Sequence, residues 1–221
     1  MKNLAIVFIL VLATSAFAQK TFDLKDASKY FDIKVTVAKC DDSMCSGEAK
    51  FEFYKKGGAK PYQTIETEDT YLEFGEKGVP KVNRTVGYDE QSVVNVDDYN
   101  FDGMEDVAIC DGTNGSYNMP SYGIYLSSRS AGKFVYSPAF SQLGAHLGML
   151  TVNKRQKTLE TFDKSGCCWH ITERYRVVNN RPVKVYEMVE DATIADETKV
   201  KVTTKTLVGG KWKTTVKYVK R

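Results

Sequence analysis

The sequence predicts an all-β protein, an antiparallel β-sandwich built from hairpins, on three observations. Apolar residues recur at every second position, as at Ile33, Val35 and Val37. No segment beyond the N-terminal leader holds a helical period for more than two turns. Strand-length runs are punctuated by Gly and Asn pairs that favour tight turns. Side chains alternate between the two faces of a strand, so this pattern marks a sheet with one face on a core.

The chain opens with Lys2, an apolar run from Leu4 to Ala13, and Ala16-Phe17-Ala18, the organisation of a signal peptide cleaved after residue 18. The mature chain is then periplasmic or secreted. No later stretch is long and apolar enough to suggest a membrane span. A polar lead-in follows, with a short helix expected near residues 26–30. Strands are read at residues 33–37, across Phe51 and Phe53, at 62–66 and at 71–74, with Gly57-Gly58 as a turn. This is an N-terminal β region, residues 19–90. The rest, 91–221, reads as a second β region with a C-terminal hairpin, or as part of one continuous domain, 19–221.

In that second region Val107-Ala108-Ile109-Cys110 is a short buried strand, and a long polar loop from Asp111 to Pro120 follows it. Long loops inside compact β domains are commonly functional. Tyr122, Ile124 and Leu126 alternate next, then Phe134 and Tyr136 after a turn. Asn179-Asn180 is expected to join the strand through Tyr175 and Val177 to Val183-Lys184-Val185-Tyr186 as a hairpin. The last hairpin turns near Gly209-Gly210. A three-residue loop, Val208-Gly209-Gly210, would keep lysines and apolar residues on separate faces, and that register is predicted. No acidic residue occurs from Lys199 to Arg221, so the hairpin is strongly basic.

Charge and chemistry narrow the function. The formal net charge is +3, too mild to imply a nucleic-acid partner. Only His146 and His170 are present, with no nucleophile elbow, zinc pattern or phosphate loop, so a non-enzymatic role is expected. All five cysteines follow the leader, in a portion where oxidation is permitted. Cys40 and Cys45 are close enough to bridge, and Cys110 is expected to pair with Cys167, or with Cys168 beside it.

The most informative stretch is Asp98-Tyr99-Asn100-Phe101-Asp102-Gly103-Met104-Glu105-Asp106. Oxygen-bearing side chains at loop positions 1, 3, 5 and 9, with glycine at 6, are the first part of a calcium loop. Asp98, Asn100, Asp102 and Asp106 would give side-chain oxygens and Met104 its carbonyl. The bidentate glutamate of an EF-hand is replaced by Ile109, so this loop leads into a strand. A series of Asx-turns without metal is the other reading.

The loop resembles those of FG-GAP repeats. Together with the Tyr-Gly-Ile-Tyr-Leu strand at 122–126, the Gly-Lys-Phe-Val-Tyr segment at 132–136 and Ser165-Gly166 ahead of an aromatic strand, it is similar to a family of small exported bacterial β proteins. These are related to periplasmic inhibitors of invertebrate-type lysozymes, and some act as immunity proteins against secreted lysozyme-like toxins. The likeness covers residues 93–190. In those inhibitors a Ser-Gly-x-Tyr loop enters the hydrolase cleft. Here Ser165 and Gly166 match, but the fourth position is Cys168, so the resemblance leaves Trp169 or His170 to supply a ring. Ser116 and Tyr117 in the long loop form an alternative prong. The resemblance thus implies a calcium-binding inhibitor of a lysozyme-like peptidoglycan hydrolase that works by loop insertion. The alternative expectation is a calcium-stapled envelope or secreted module that docks to an anionic surface through its basic hairpin.

Overall fold

The computed structural model describes residues 18–24, 26–75, 78–84 and 91–221. Of the predicted signal peptide, residues 1–18, all but Ala18 lie outside them. Among the described residues fifteen strands form three antiparallel sheets. The first comprises β1 (Ala18–Leu24), β2 (Phe31–Cys40), β3 (Met44–Lys55), β4 (Pro61–Thr67) and β5 (Tyr71–Glu73), in the order β1-β2-β3-β4 with β5 also on β3. The second is the meander β6 (Val94–Asp97), β7 (Asp106–Cys110), β8 (Tyr122–Ser128) and β9 (Lys133–Tyr136). The third runs in sequence order through β10 (Thr151–Asn153), β11 (Thr158–Ser165), β12 (Trp169–Val178), β13 (Arg181–Asp191), β14 (Lys199–Val208) and β15 (Lys211–Lys220). One short helix, α1 (Pro138–Ser141), lies between β9 and β10.

The alternation read from the sequence is what buries the core. Ile33, Val35 and Val37 on β2 meet Phe51 and Phe53 on β3, all almost fully buried. They belong to one cluster with Val94, Ile109, Tyr122, Ile124 and Leu159 from the other two sheets. Every residue of β7 is buried, so this strand is covered on both faces. Full burial of a large apolar side chain contributes roughly 1.5–3 kcal/mol, so these rows dominate the stability of the sheets. The first two sheets are also clamped by a side-chain amide: Gln63 donates to the Phe134 carbonyl (2.9 Å) and accepts from the Phe134 N–H (2.7 Å). Phe134 packs within the rings of Phe31, Phe53 and Tyr62 around that clamp.

Three expectations are corrected. Residues 26–30 form a turn, not a helix, because the Ser28 hydroxyl accepts from the N–H groups of Tyr30 and Phe31 while donating to Glu105. Ser and Asp side chains that cap their own backbone compete with helix in this way. The cysteines pair differently as well. Cys40–Cys45 is a disulfide as expected, but Cys167 bonds to its neighbour Cys168 and Cys110 is a free thiol. Cys110 is a core side chain of β7 directed at the Gly112 carbonyl, whereas Cys167 is exposed at a hairpin tip.

The third correction is the register of the last hairpin. Val208 pairs with Lys211 around a two-residue Gly209-Gly210 loop, and lysines do stand beside valines. Both glycines have positive φ, 57° and 76°. That is the type I′ geometry, whose twist matches the flanking strands. Separation of faces fixes register only when one face is buried. Every residue of β15 is exposed, so turn geometry decides. Asn179 and Asn180, also at positive φ, make the same kind of loop between β12 and β13, as expected.

Candidate partner-binding site and acidic loop

The loop from β6 to β7 folds around its own carboxylates. Asp98 accepts from the N–H groups of Asp102 (3.0 Å) and Gly103 (2.8 Å), and Asp102 from Met104 (2.9 Å). Asn100 accepts from Asp102 N–H and donates its amide to Asp102 and to Asn180. Gly103 sits at φ 86°, which a side chain would strain. Asp106 is fully buried and accepts three backbone N–H groups, from Tyr99, Asn100 and Ser127. Burial pushes its carboxyl up to about 7, and the neighbouring Asp102 charge pushes in the same direction, against the three N–H bonds.

These donors are all oxygen, the chemistry a hard cation takes. As oriented, both oxygens of Asp98 and both of Asp106 accept N–H groups. Among the described residues no three His, Cys, Asp or Glu side chains are grouped to hold a metal ion. Glu105 turns away to Ser28 and the Lys29 N–H.

The two prongs proposed from the sequence stand together. Ser116–Asn118 is a single 3-10 turn in the loop after β7, with Tyr117 and Asn118 both at φ 58°. A non-glycine residue in the left-handed region is held there only by its surroundings. Gly115 donates to the Met119 carbonyl (2.9 Å) and Ser116 to the His146 carbonyl (3.1 Å). The phenol oxygen of Tyr117 then accepts from the Gly166 N–H at 2.6 Å. Gly166, at φ 62°, is in the tip of the β11–β12 hairpin, which Ser165 and Trp169 close as a cross-strand pair. The ammonium of Lys164 lies 5.0 Å from the centre of the Tyr117 ring, a cation–π contact.

Two further ties stiffen this surface. His146, whose carbonyl holds Ser116, hydrogen-bonds through Nδ1 to Asp163 on β11. The Cys167–Cys168 disulfide closes the hairpin tip, and the Cys168 carbonyl accepts from the Ala192 N–H (2.7 Å). A tyrosine from another loop is thus placed at the Ser165-Gly166 tip. Trp169 and His170, adjacent on β12, point to opposite faces. His170 stacks on Phe162 with ring centres 5.8 Å apart. Tyr117 remains 57% exposed, so its ring stands open to solvent at the joined tips.

Gly115, His146, Asp163 and Lys164 were not singled out for this surface by sequence. A Cβ on Gly115 would lie 2.6 Å from the His146 carbonyl oxygen and 2.7 Å from that of Met119. Both are backbone atoms and cannot swing aside. Gly115→Ala is therefore expected to destabilise the fold by about 1–3 kcal/mol and to displace Tyr117. Loss of the Gly166 amide's protection from hydrogen exchange would report it; unchanged protection would contradict it.

No family model matches the chain, and no curated protein matches it. Among solved structures the fold is similar to "Structure of a Xanthomonas Type IV Secretion System related protein", with a TM-score of 0.67 and 22% identity. The similarity covers 90% of this chain and 97% of that one. The two share an architecture, so the three-sheet arrangement is not peculiar to this sequence. Among the described residues no helix is long and apolar enough to cross a membrane. Two disulfides fit an exported chain.

Proposed function

We propose that the protein is an exported inhibitor of a lysozyme-like peptidoglycan hydrolase, blocking the saccharide groove with the joined tips at Tyr117 and Gly166. The observation that carries this reading is the hydrogen bond from Gly166 N–H to the Tyr117 oxygen, which makes one prong of two loops. An exposed aromatic ring on a stiff support is the kind of anchor that dominates interfaces, because little entropy is lost when it is buried. The hydroxyls of Ser116 and Ser165 take the place of sugar hydroxyls, and Gly166 allows close approach of backbone to the cleft. Glycosidase clefts carry a pair of carboxylates, which the Lys164 ammonium complements. Trp169 and His170 flank the prong. A role beside a secretion system, the setting named for the Xanthomonas protein, suits a guard against a delivered hydrolase.

The test is clearing of peptidoglycan suspensions by invertebrate-type, chicken-type and toxin-borne lysozymes, each titrated with the mature protein. Stoichiometric suppression of at least one is expected. Full activity of all of them at a large excess of the protein would defeat the proposal.

Calcium is part of the same proposal. Asp98, Asn100, Asp102, Asp106 and the Met104 carbonyl would hold it, and its charge would offset the crowding of carboxylates ahead of β7. Support comes from the spacing and from the buried Asp106. The expected result is a rise of about 5–10 °C in the thermal midpoint when calcium reaches a hundredfold excess over its dissociation constant. The rise should vanish in Asp98→Ala. No shift at millimolar calcium after chelation would remove the ion from the account and leave the Asx-turn reading.

A further inference from the structure

β15 is the edge strand of the six-stranded sheet and is unusually bare. It pairs with β14 over ten residues without a register shift, contains no proline, and has no buried position. Its hydrogen-bonding parity is fixed at the base of the hairpin, where Arg221 N–H donates to the Thr198 carbonyl at 3.0 Å. Bonded and non-bonded pairs alternate along an antiparallel ladder. The odd-numbered residues of β15 therefore bond to β14, while the N–H and C=O groups of Trp212, Thr214, Val216 and Tyr218 point away from the sheet.

An edge like this is a template for another strand, and charged side chains select which strand it accepts. Lys199 and Lys205 of β14 are ion-paired with Asp196 and Glu187. Among the described residues Lys211, Lys213, Lys217 and Lys220 on β15 make no ion pair. A second copy of β15 would bring lysines against lysines, which is destabilising across a ladder.

We infer that the free edge of β15 docks an extended acidic segment of a partner protein as a seventh strand. The carboxylates would stand opposite Lys213 and Lys217, and small or β-branched residues would fall beside Trp212, Val216 and Tyr218. The observed register favours this partner over an anionic membrane. It places Lys213 and Lys217 on one face of the hairpin and Lys201 and Lys205 on the other. A flat surface meets one face only and cannot satisfy the outward backbone groups, whereas an acidic strand meets the whole edge. This inference stands on β15 and is independent of the inhibitor reading.

The test uses the isotope-labelled mature protein and three probes. They are a seven-residue peptide alternating glutamate with valine or threonine, the same peptide with lysine for glutamate, and phosphatidylglycerol vesicles. The acidic peptide should slow amide exchange at least about tenfold at Trp212, Thr214, Val216 and Tyr218. Exchange at Lys213, Thr215 and Lys217, already bonded to β14, should not change. The double variant Lys213→Glu, Lys217→Glu should lose at least about tenfold in affinity for the acidic peptide, a change of 1.4 kcal/mol, and gain the lysine peptide. Val216→Pro removes an outward N–H without breaking a bond to β14, so it should fold and fail to bind. Equal binding of both peptides, uniform protection along β15, no peptide binding, or binding of vesicles alone would each overturn the inference.

Discussion

Tyr117→Ala is expected to weaken inhibition of the target hydrolase by about a hundredfold, or 2.7 kcal/mol, the loss typical of a central aromatic anchor. The fold should hardly notice. The ring is largely exposed and, among the described residues, its phenol is hydrogen-bonded to the hairpin tip alone, and surface substitutions of this kind stay within about 0.5 kcal/mol. Tyr117→Phe separates the two contributions of the side chain. It keeps the ring and the Lys164 contact but leaves Gly166 N–H without its acceptor, so a loss of about tenfold is expected, one hydrogen bond's worth. Inhibition constants for the wild type and both variants measure this series. Equal inhibition by all three would mean that the prong is not the contact. A parallel fall in thermal midpoint and inhibition would make Tyr117 a stabilising residue instead.

The second large effect is on stability. Asp106→Ala removes the acceptor for three backbone N–H groups at once, those of Tyr99, Asn100 and Ser127. Each donor left unmade in a buried setting costs about 1–3 kcal/mol, so a total near or above about 3 kcal/mol is expected. Asp106→Asn keeps one acceptor oxygen and should fall between wild type and alanine. Urea unfolding monitored by tryptophan fluorescence gives the difference directly. A change below about 1 kcal/mol for alanine would show that water satisfies those N–H groups and that Asp106 does not organise the loop.

The sheets were legible because their rule is local. Alternation at Ile33, Val35 and Val37 reads as a half-buried strand wherever it occurs, and the Asn179-Asn180 loop followed from turn chemistry alone. The Gly209-Gly210 hairpin obeys that same chemistry. It was misread because separation of faces was given priority at a place where neither face is buried. Cysteine pairing depends on distances that a sequence does not contain. The local Cys40–Cys45 bridge could be read, while a buried Cys110 and a bridge between adjacent residues could not. The site illustrates the larger gap. Ser165-Gly166 and Ser116-Tyr117 each stood out as turns with exposed polar or aromatic residues, yet they are joined by a hydrogen bond across 49 positions, with the Lys164 contact to the Tyr117 ring beside it. The tie from Asn100 to Asn180, across 80 positions, is equally silent in the sequence.

Insertion into the cleft makes a demand that surface docking elsewhere on the hydrolase does not. Protein and saccharide must compete for the same groove. The direct measurement is calorimetric titration of the mature protein into a lysozyme that it suppresses, with and without a saturating chitin or peptidoglycan oligosaccharide. Apparent affinity should fall in proportion to saccharide concentration, and the saccharide should release Tyr117 from the complex. Unchanged affinity, with a ternary complex of protein, hydrolase and saccharide, would contradict the account.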